Sequence, residues 1–183
     1  MRFIIGVIIG IIIVLGAGFV YFATGRAPVA TSDKPMPFER MMAKKALGAR
    51  IDKEMPNSAP LPATDQTYMA GAEIYRKQCS VCHGLPGMQQ SDIALGEFPK
   101  PPHLFRGKGV TDDPPGETYW KVANGIRMTG MPGFKGRLTD TQIWQVSLLL
   151  ANADKISDAV KQALVPASEP AGAIKKPEPP KKR

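Results

Sequence analysis

The feature that most limits what this chain can fold into is a five-residue run, Cys79-Ser80-Val81-Cys82-His83. Its cysteines are the only two in 183 residues, and His83 is one of only two histidines, the other being His103. A framework of several disulfides is therefore excluded, and the pair needs a local explanation. A thioredoxin-like redox pair has the same Cys spacing but follows a strand in a βαβ setting. No stretch here alternates like a half-buried strand. By count, Cys79, Cys82, His83 and His103 also suffice for a Cys2His2 zinc site. Adjacent Cys82 and His83 make poor tetrahedral partners, however, and zinc-finger spacing is absent.

The reading that uses every residue of the run is C-x-x-C-H, the attachment pattern of c-type haem. Two thiols three residues apart on a turn can each add to a different vinyl group of one porphyrin. The imidazole that follows then lies under the ring and can bind the iron. Cys79, Cys82 and His83 are thus the expected cofactor-binding residues, with one covalent haem c as the cofactor.

The surroundings read as helices. Residues 66–78 have helical character and lead into the motif, with Gly71 and Tyr75 one turn apart on one face. Residues 139–151 form a second helix, opened by a capping box of Thr139 and Gln142. Ile143, Trp144, Val146, Leu148 and Leu150 supply its apolar surface. Glu117 to Asn124 reads as a short helix that Gly125 ends. A further one is expected over Ser157–Leu164, stopped by Pro166.

On these residues, the segment from Thr64 to Val165 resembles a class I c-type cytochrome. The fold class expected is accordingly all-α: a small helical domain around one haem, with an N-terminal transmembrane helix. The resemblance implies that the helix before the motif crosses a C-terminal helix, with Gly71 and Tyr75 meeting Trp144. It also implies that a proline carbonyl, of Pro101 or Pro102, accepts a hydrogen bond from the proximal imidazole. Tyr119, Trp120 and Arg127 are candidates for packing on the haem or holding its propionates, beside an ordinary core role.

For the second axial ligand the candidates are Met131, Met128 and His103. Met131 stands in Thr129-Gly130-Met131-Pro132-Gly133-Phe134, which is similar to the family's Gly-Met-Pro loop, where methionine supplies a thioether. Two glycines and a proline give such a loop unusual angles and stiffness. His83 and Met131 are then the expected iron ligands. Met128 competes as its near neighbour, and His103 because histidine is a common haem ligand.

Outside this region the chain is a set of appendages. Ile4 to Phe22 is an unbroken run of apolar and small residues. As a helix it would span roughly 28 Å, close to the hydrocarbon thickness of a bilayer. That is longer than the ~7–15 apolar residues of a cleaved signal peptide, so residues 1–25 read as a membrane anchor. Gly6 and Gly10 form a G-x-x-x-G pair of the kind that lets helices approach. Residues 26–63 read as a periplasmic linker with a short amphipathic helix over 38–50, a solvated spacer or a surface for lipid or a partner. Residues 166–183 read as a disordered, basic, Pro-rich tail. The net charge of +8 sits mostly on these flanks, and residues 64–165 carry 11 Lys/Arg against 10 Asp/Glu. No basic face points to nucleic acid.

The function these features imply is single-electron transfer, not enzyme catalysis. The expected protein is a single-pass inner-membrane cytochrome whose haem domain faces the periplasm. Its partners are redox proteins or a membrane electron-transfer complex of a respiratory or photosynthetic chain. A haem-based sensor or peroxidase-like enzyme is the alternative, and either requires an open or labile sixth position.

Overall fold

The computed structural model describes residues 1–165; the expected tail, residues 166–183, lies outside the described residues. Eight helices occur in the described part: α1 (Arg2–Ala23), α2 (Glu39–Glu54), α3 (Asp65–Gln78), α4 (Ser80–His83), α5 (Asp92–Gly96), α6 (Pro115–Asn124), α7 (Asp140–Ala151) and α8 (Asp158–Leu164). Among the described residues there is no strand, only an isolated bridge between Lys135 and Leu138. The chain divides into two compact units, Met1–Gly48 and Ala49–Arg183.

The first unit holds α1 and the start of α2. α1 is one helix, 22 residues long, and no residue of it is buried. It is long and apolar enough to cross a membrane and lies near the N-terminus, as an anchor or a signal sequence does. On α2, Met41 and Met42 are exposed, as is Phe38 just before it.

The second unit is built on α3, α6, α7 and α8. α3 begins at Thr64, whose hydroxyl accepts from the Thr67 N–H. Tyr68, Gly71, Ala72 and Tyr75 recur at helical spacing and are all buried on one face. That face meets α7 and α8, and α6 covers another side of α7. Packed from both sides, α7 is buried nearly all round, from Ile143 to Ala151 apart from Gln145. Fully burying a side chain such as Ile143 or Leu149 contributes about 1.5–3 kcal/mol each. The Thr139/Gln142 capping box forms as the sequence predicts.

The point of closest approach is Gly71. A Cβ there would overlap the backbone carbonyl of Gln145 and lie 3.1 Å from the Leu149 Cβ. The crossing of α3 and α7 is thus set by a glycine against backbone. The aromatic contacts differ from the expected meeting of Tyr75 with Trp144. Tyr75 stands edge-on to Phe105, with ring centres 5.0 Å apart, and Trp144 stacks on Tyr119 at 4.3 Å. The reason is register. Gly71 occupies the crossing, and Tyr75, a turn further on, faces Phe105 and the turn after the motif. There its hydroxyl donates to the Gly84 carbonyl at 2.7 Å.

Residues 49–63, read from sequence as part of the spacer, pack on the helical unit. Ile51 is buried, Ala59 and Leu61 lie against the core, and the Trp120 indole N–H donates to Glu54 at 3.2 Å. Isolated apolar residues among prolines carry no periodicity by which sequence could place them.

Two outcomes follow from this packing. Gly71→Ala should lower the unfolding free energy by about 1–3 kcal/mol, because the clash outweighs the ~1 kcal/mol gain in helix propensity; denaturant titration of the purified protein measures it. Burial raises the Tyr75 pKa above its ordinary 10.0. The unfolded chain therefore releases this proton first, and stability falls as pH rises above about 10. Tyr75→Phe should flatten that alkaline limb while losing about 1–3 kcal/mol near neutrality, through the unpaired Gly84 carbonyl.

Candidate haem site

The five-residue motif is a helical turn grafted onto the end of α3. The Cys79 N–H still bonds to the Tyr75 carbonyl at 2.9 Å. The Cys79 carbonyl already accepts from the N–H groups of Cys82 (3.2 Å) and His83 (2.9 Å). The two thiols thus stand at i and i+3 and the imidazole at i+4, on one side of a single turn. Gly84 ends the turn at φ +74, where a Cβ would lie 2.7 Å from the His103 ring nitrogen. No disulfide joins Cys79 to Cys82. Burial pushes the Cys79 thiol up to about 12. Cys82 is also raised, first by burial and then by its hydrogen bond to the Glu97 carboxylate at 3.4 Å.

The His83 Nδ1 lies 2.8 Å from the Pro102 carbonyl. A carbonyl only accepts, so Nδ1 carries the proton and Nε2 keeps its lone pair. Burial pushes the His83 pKa down, against the opposing pull of Pro102. Of the two prolines left open by the sequence, Pro102 meets His83. The Pro101 carbonyl instead accepts from the Gln90 side-chain nitrogen at 2.8 Å, and the same nitrogen donates to the Cys82 carbonyl at 2.7 Å.

His103 is differently engaged. Its Nδ1 accepts from the Phe105 N–H at 3.2 Å, which leaves the proton on Nε2, 3.0 Å from the Met88 carbonyl. Neither nitrogen has a lone pair to offer. Among the described residues no group of three or more His, Cys, Asp and Glu side chains is arranged to hold a metal ion, so the four Cys and His residues do not converge as a zinc site.

The loop carrying Met131 is pinned to the end of α6. Phe134 and Lys135 donate N–H groups to the carbonyls of Val122 (2.9 Å) and Ala123 (3.0 Å), and Ile126 donates to Met131 (3.1 Å). Gly125, at φ +69, sits back to back with Gly133: a Cβ on the first would lie 2.5 Å from the Gly133 nitrogen. The Thr129 hydroxyl accepts from the Met131 N–H at 3.1 Å. Met131 is half-buried against the core, whereas Met128 is 92% exposed. The Glu97 carboxylate lies against Gly130 as well as the Cys82 thiol, so the loop and the motif come together around it. Tyr119 is taken up by Trp144 and by Asp140, to which its hydroxyl donates at 3.1 Å. Arg127 is exposed. Sequence reasoning did not find Gln90 or Glu97. Neither stands in a motif, and their partners are backbone groups or residues far along the chain.

Residues 66–148 match the family model described as cytochrome c oxidase, cbb3-type, subunit III. They form a c-type cytochrome domain. A chain of the reducing HAO-like protein complex of Kuenenia stuttgartiensis is similar over 65% of this chain and 50% of its own, with 24% identity and a TM-score of 0.45. This chain thus spans about half the length of that one. No curated protein matches the sequence. A cytochrome c domain binds haem and transfers electrons. The donor set here fits that group: two thiols on one turn, an imidazole whose Nε2 lone pair is unused, and a half-buried thioether on a pinned loop.

The pinned loop generates a comparison of two glycines. Gly125→Ala combines left-handed backbone with a clash, and should destabilise the cytochrome domain by about 2–4 kcal/mol. Gly136→Ala, at φ +86 with open space around it, should cost only the backbone part, about 1–2 kcal/mol. Denaturant midpoints of the two variants give the difference.

Proposed function

We propose that this protein is a membrane-anchored electron carrier with one haem c, held covalently by Cys79 and Cys82 and ligated axially by His83 and Met131. The observation that carries the reading is the state of the two histidines. His83 is held by Pro102 with its Nε2 lone pair unused, while both nitrogens of His103 are spent on backbone groups. That leaves methionine as the second ligand, and the half-buried Met131 is better placed than the exposed Met128.

When bound, the haem supplies the one-electron couple of its iron. The chain's own residues set the conditions. His83 keeps one tautomer through its bond to Pro102, which makes the ligand more basic. A thioether from Met131 favours the ferrous form relative to a second nitrogen. The loop from Gly125 to Phe134 is fixed by backbone hydrogen bonds at both ends, so the thioether need not be reorganised when charge changes. Cys79 and Cys82, on one turn, tether the group at two points. No acid–base pair is required, since no bond in a substrate is made or broken.

In this reading α1 stays as a single-pass anchor in the cytoplasmic membrane and the cytochrome domain works in the periplasm. Donor and acceptor are redox proteins, met through small, transient contacts or within a membrane complex. The match to an oxidase subunit supports a relay position in such a complex.

Absorption spectra of the detergent-solubilised protein test the ligands. The ferrous protein should show the α-band of haem c, and the ferric protein a weak sulfur-to-iron band that Met131→Leu abolishes and His103→Ala retains. Carbon monoxide should leave the ferrous spectrum unchanged. Carbon monoxide binding by the unmodified protein would instead establish a labile sixth position and the sensor or peroxidase-like alternative.

A further inference from the structure

Between the motif turn and the Pro-rich loop runs a short segment bonded to both. Gln90 uses the two protons of one amide nitrogen, donating to the carbonyls of Cys82 at 2.7 Å and Pro101 at 2.8 Å. Beside it, the Ser91 hydroxyl donates to the Val81 carbonyl. On the other side, the Met88 carbonyl accepts from His103 Nε2 at 3.0 Å and from the Arg106 guanidinium at 3.2 Å. Residues 88–91 therefore form a clasp, tied by 90 and 91 to the motif and by 88 and 90 to the loop at 101–106.

The loop needs such a clasp for a covalent reason. Pro101 and Pro102 have no N–H, so neither can anchor itself by donating a backbone hydrogen bond. Their carbonyls are the only polar handles they have. One of these, on Pro102, accepts from His83. Its direction is fixed through the neighbouring carbonyl, and that carbonyl is held by Gln90. The other arm of the same amide reaches Cys82, the residue before His83. The imidazole and its acceptor are thus referred to one common nitrogen.

We propose that Gln90 is a positioning residue for the proximal ligand: it sets the hydrogen bond between His83 and Pro102 and, through it, the basicity of the imidazole. This rests on the reading of His83 as an iron ligand. A tighter bond makes the imidazole a stronger donor and favours ferric iron; a looser one favours ferrous iron.

The test uses the full-length, haem-loaded protein and two variants. Gln90→Met keeps the length and removes both donors. Gln90→Glu keeps the shape and replaces the donors by acceptors. Both should retain the haem c α-band and the ferric sulfur-to-iron band. At a fixed ambient potential both should raise the ratio of reduced to oxidised protein by about three- to tenfold, tenfold being 59 mV for one electron. The His83 Nδ1 proton should exchange with solvent about tenfold faster or more, the scale of outer-shell effects on metal ligands.

Variants that unfold at lower denaturant yet keep the unmodified potential and exchange rate would overturn the proposal, leaving Gln90 as a structural tie only. If neither variant takes up haem, the unmodified ferrous protein decides the matter. Scalar couplings across hydrogen bonds from the Gln90 side-chain nitrogen to both the Cys82 and Pro101 carbonyl carbons support the clasp, and their absence overturns it. Failure of the underlying ligand reading is distinguishable, because it shows in the unmodified spectrum, whereas the couplings report on the clasp itself.

Discussion

The contact between Gly71 and the backbone of Gln145 governs where everything else in the cytochrome domain can stand. Two helices approach this closely only where a side chain is missing, and the chain places that gap two turns before the motif. α3 runs from the contact into Cys79 without interruption, the same residue closing α3 and opening α4. The position of both thiols and of His83 is therefore a rigid projection from the crossing with α7. On the far side of α7 lies α6, whose last carbonyls hold the Met131 loop. One buried helix thus sits between the elements that carry the two proposed ligands.

Around the candidate site the polar side chains speak mostly to backbone carbonyls. Tyr75 donates to Gly84, His83 to Pro102, Gln90 to Cys82 and Pro101, His103 to Met88. Carbonyls in loops have few other partners once removed from water, and leaving one unpaired costs about 1–3 kcal/mol. The arrangement satisfies them and at the same time converts a loop without regular structure into a stiff frame. Ionic contacts do not compete. Pairs such as Arg50–Glu54 and Lys77–Glu73 lie at the surface, where water screens them.

Much of this was legible in the sequence because it depends on short-range signals. Thr139 and Gln142 announce α7, Gly125 ends α6, and Gly71 with Tyr75 marks the packed face of α3. The motif itself is read off five consecutive residues. What escaped was set by contacts between distant segments. The clasp at 88–91 has no periodicity, and a glutamine that bonds to carbonyls 8 and 11 residues away looks like any polar surface residue. The ring partners were misjudged because periodicity gives the face of a helix but not how far along it the crossing falls. The choice between Pro101 and Pro102 turned on a single peptide unit's direction, which composition does not encode.

The engagement of His103 has a consequence for how the domain reaches its folded state. Twenty residues beyond His83, it is the chain's one other imidazole, and if haem were attached before the chain folds, as the proposed function implies, both its nitrogens would be open to the iron. A nitrogen ligand captured there would close a loop of about that length, cheap in entropy, and keep the Pro-rich segment from its place beside His83. The bonds from His103 to Met88 and Phe105 remove this competitor only once residues 88–105 have condensed. Order of assembly then matters in the proposed reading: condensation of residues 88–105 first would withdraw His103 from the iron, whereas late condensation would leave a captured histidine to be released before Met131 could dock.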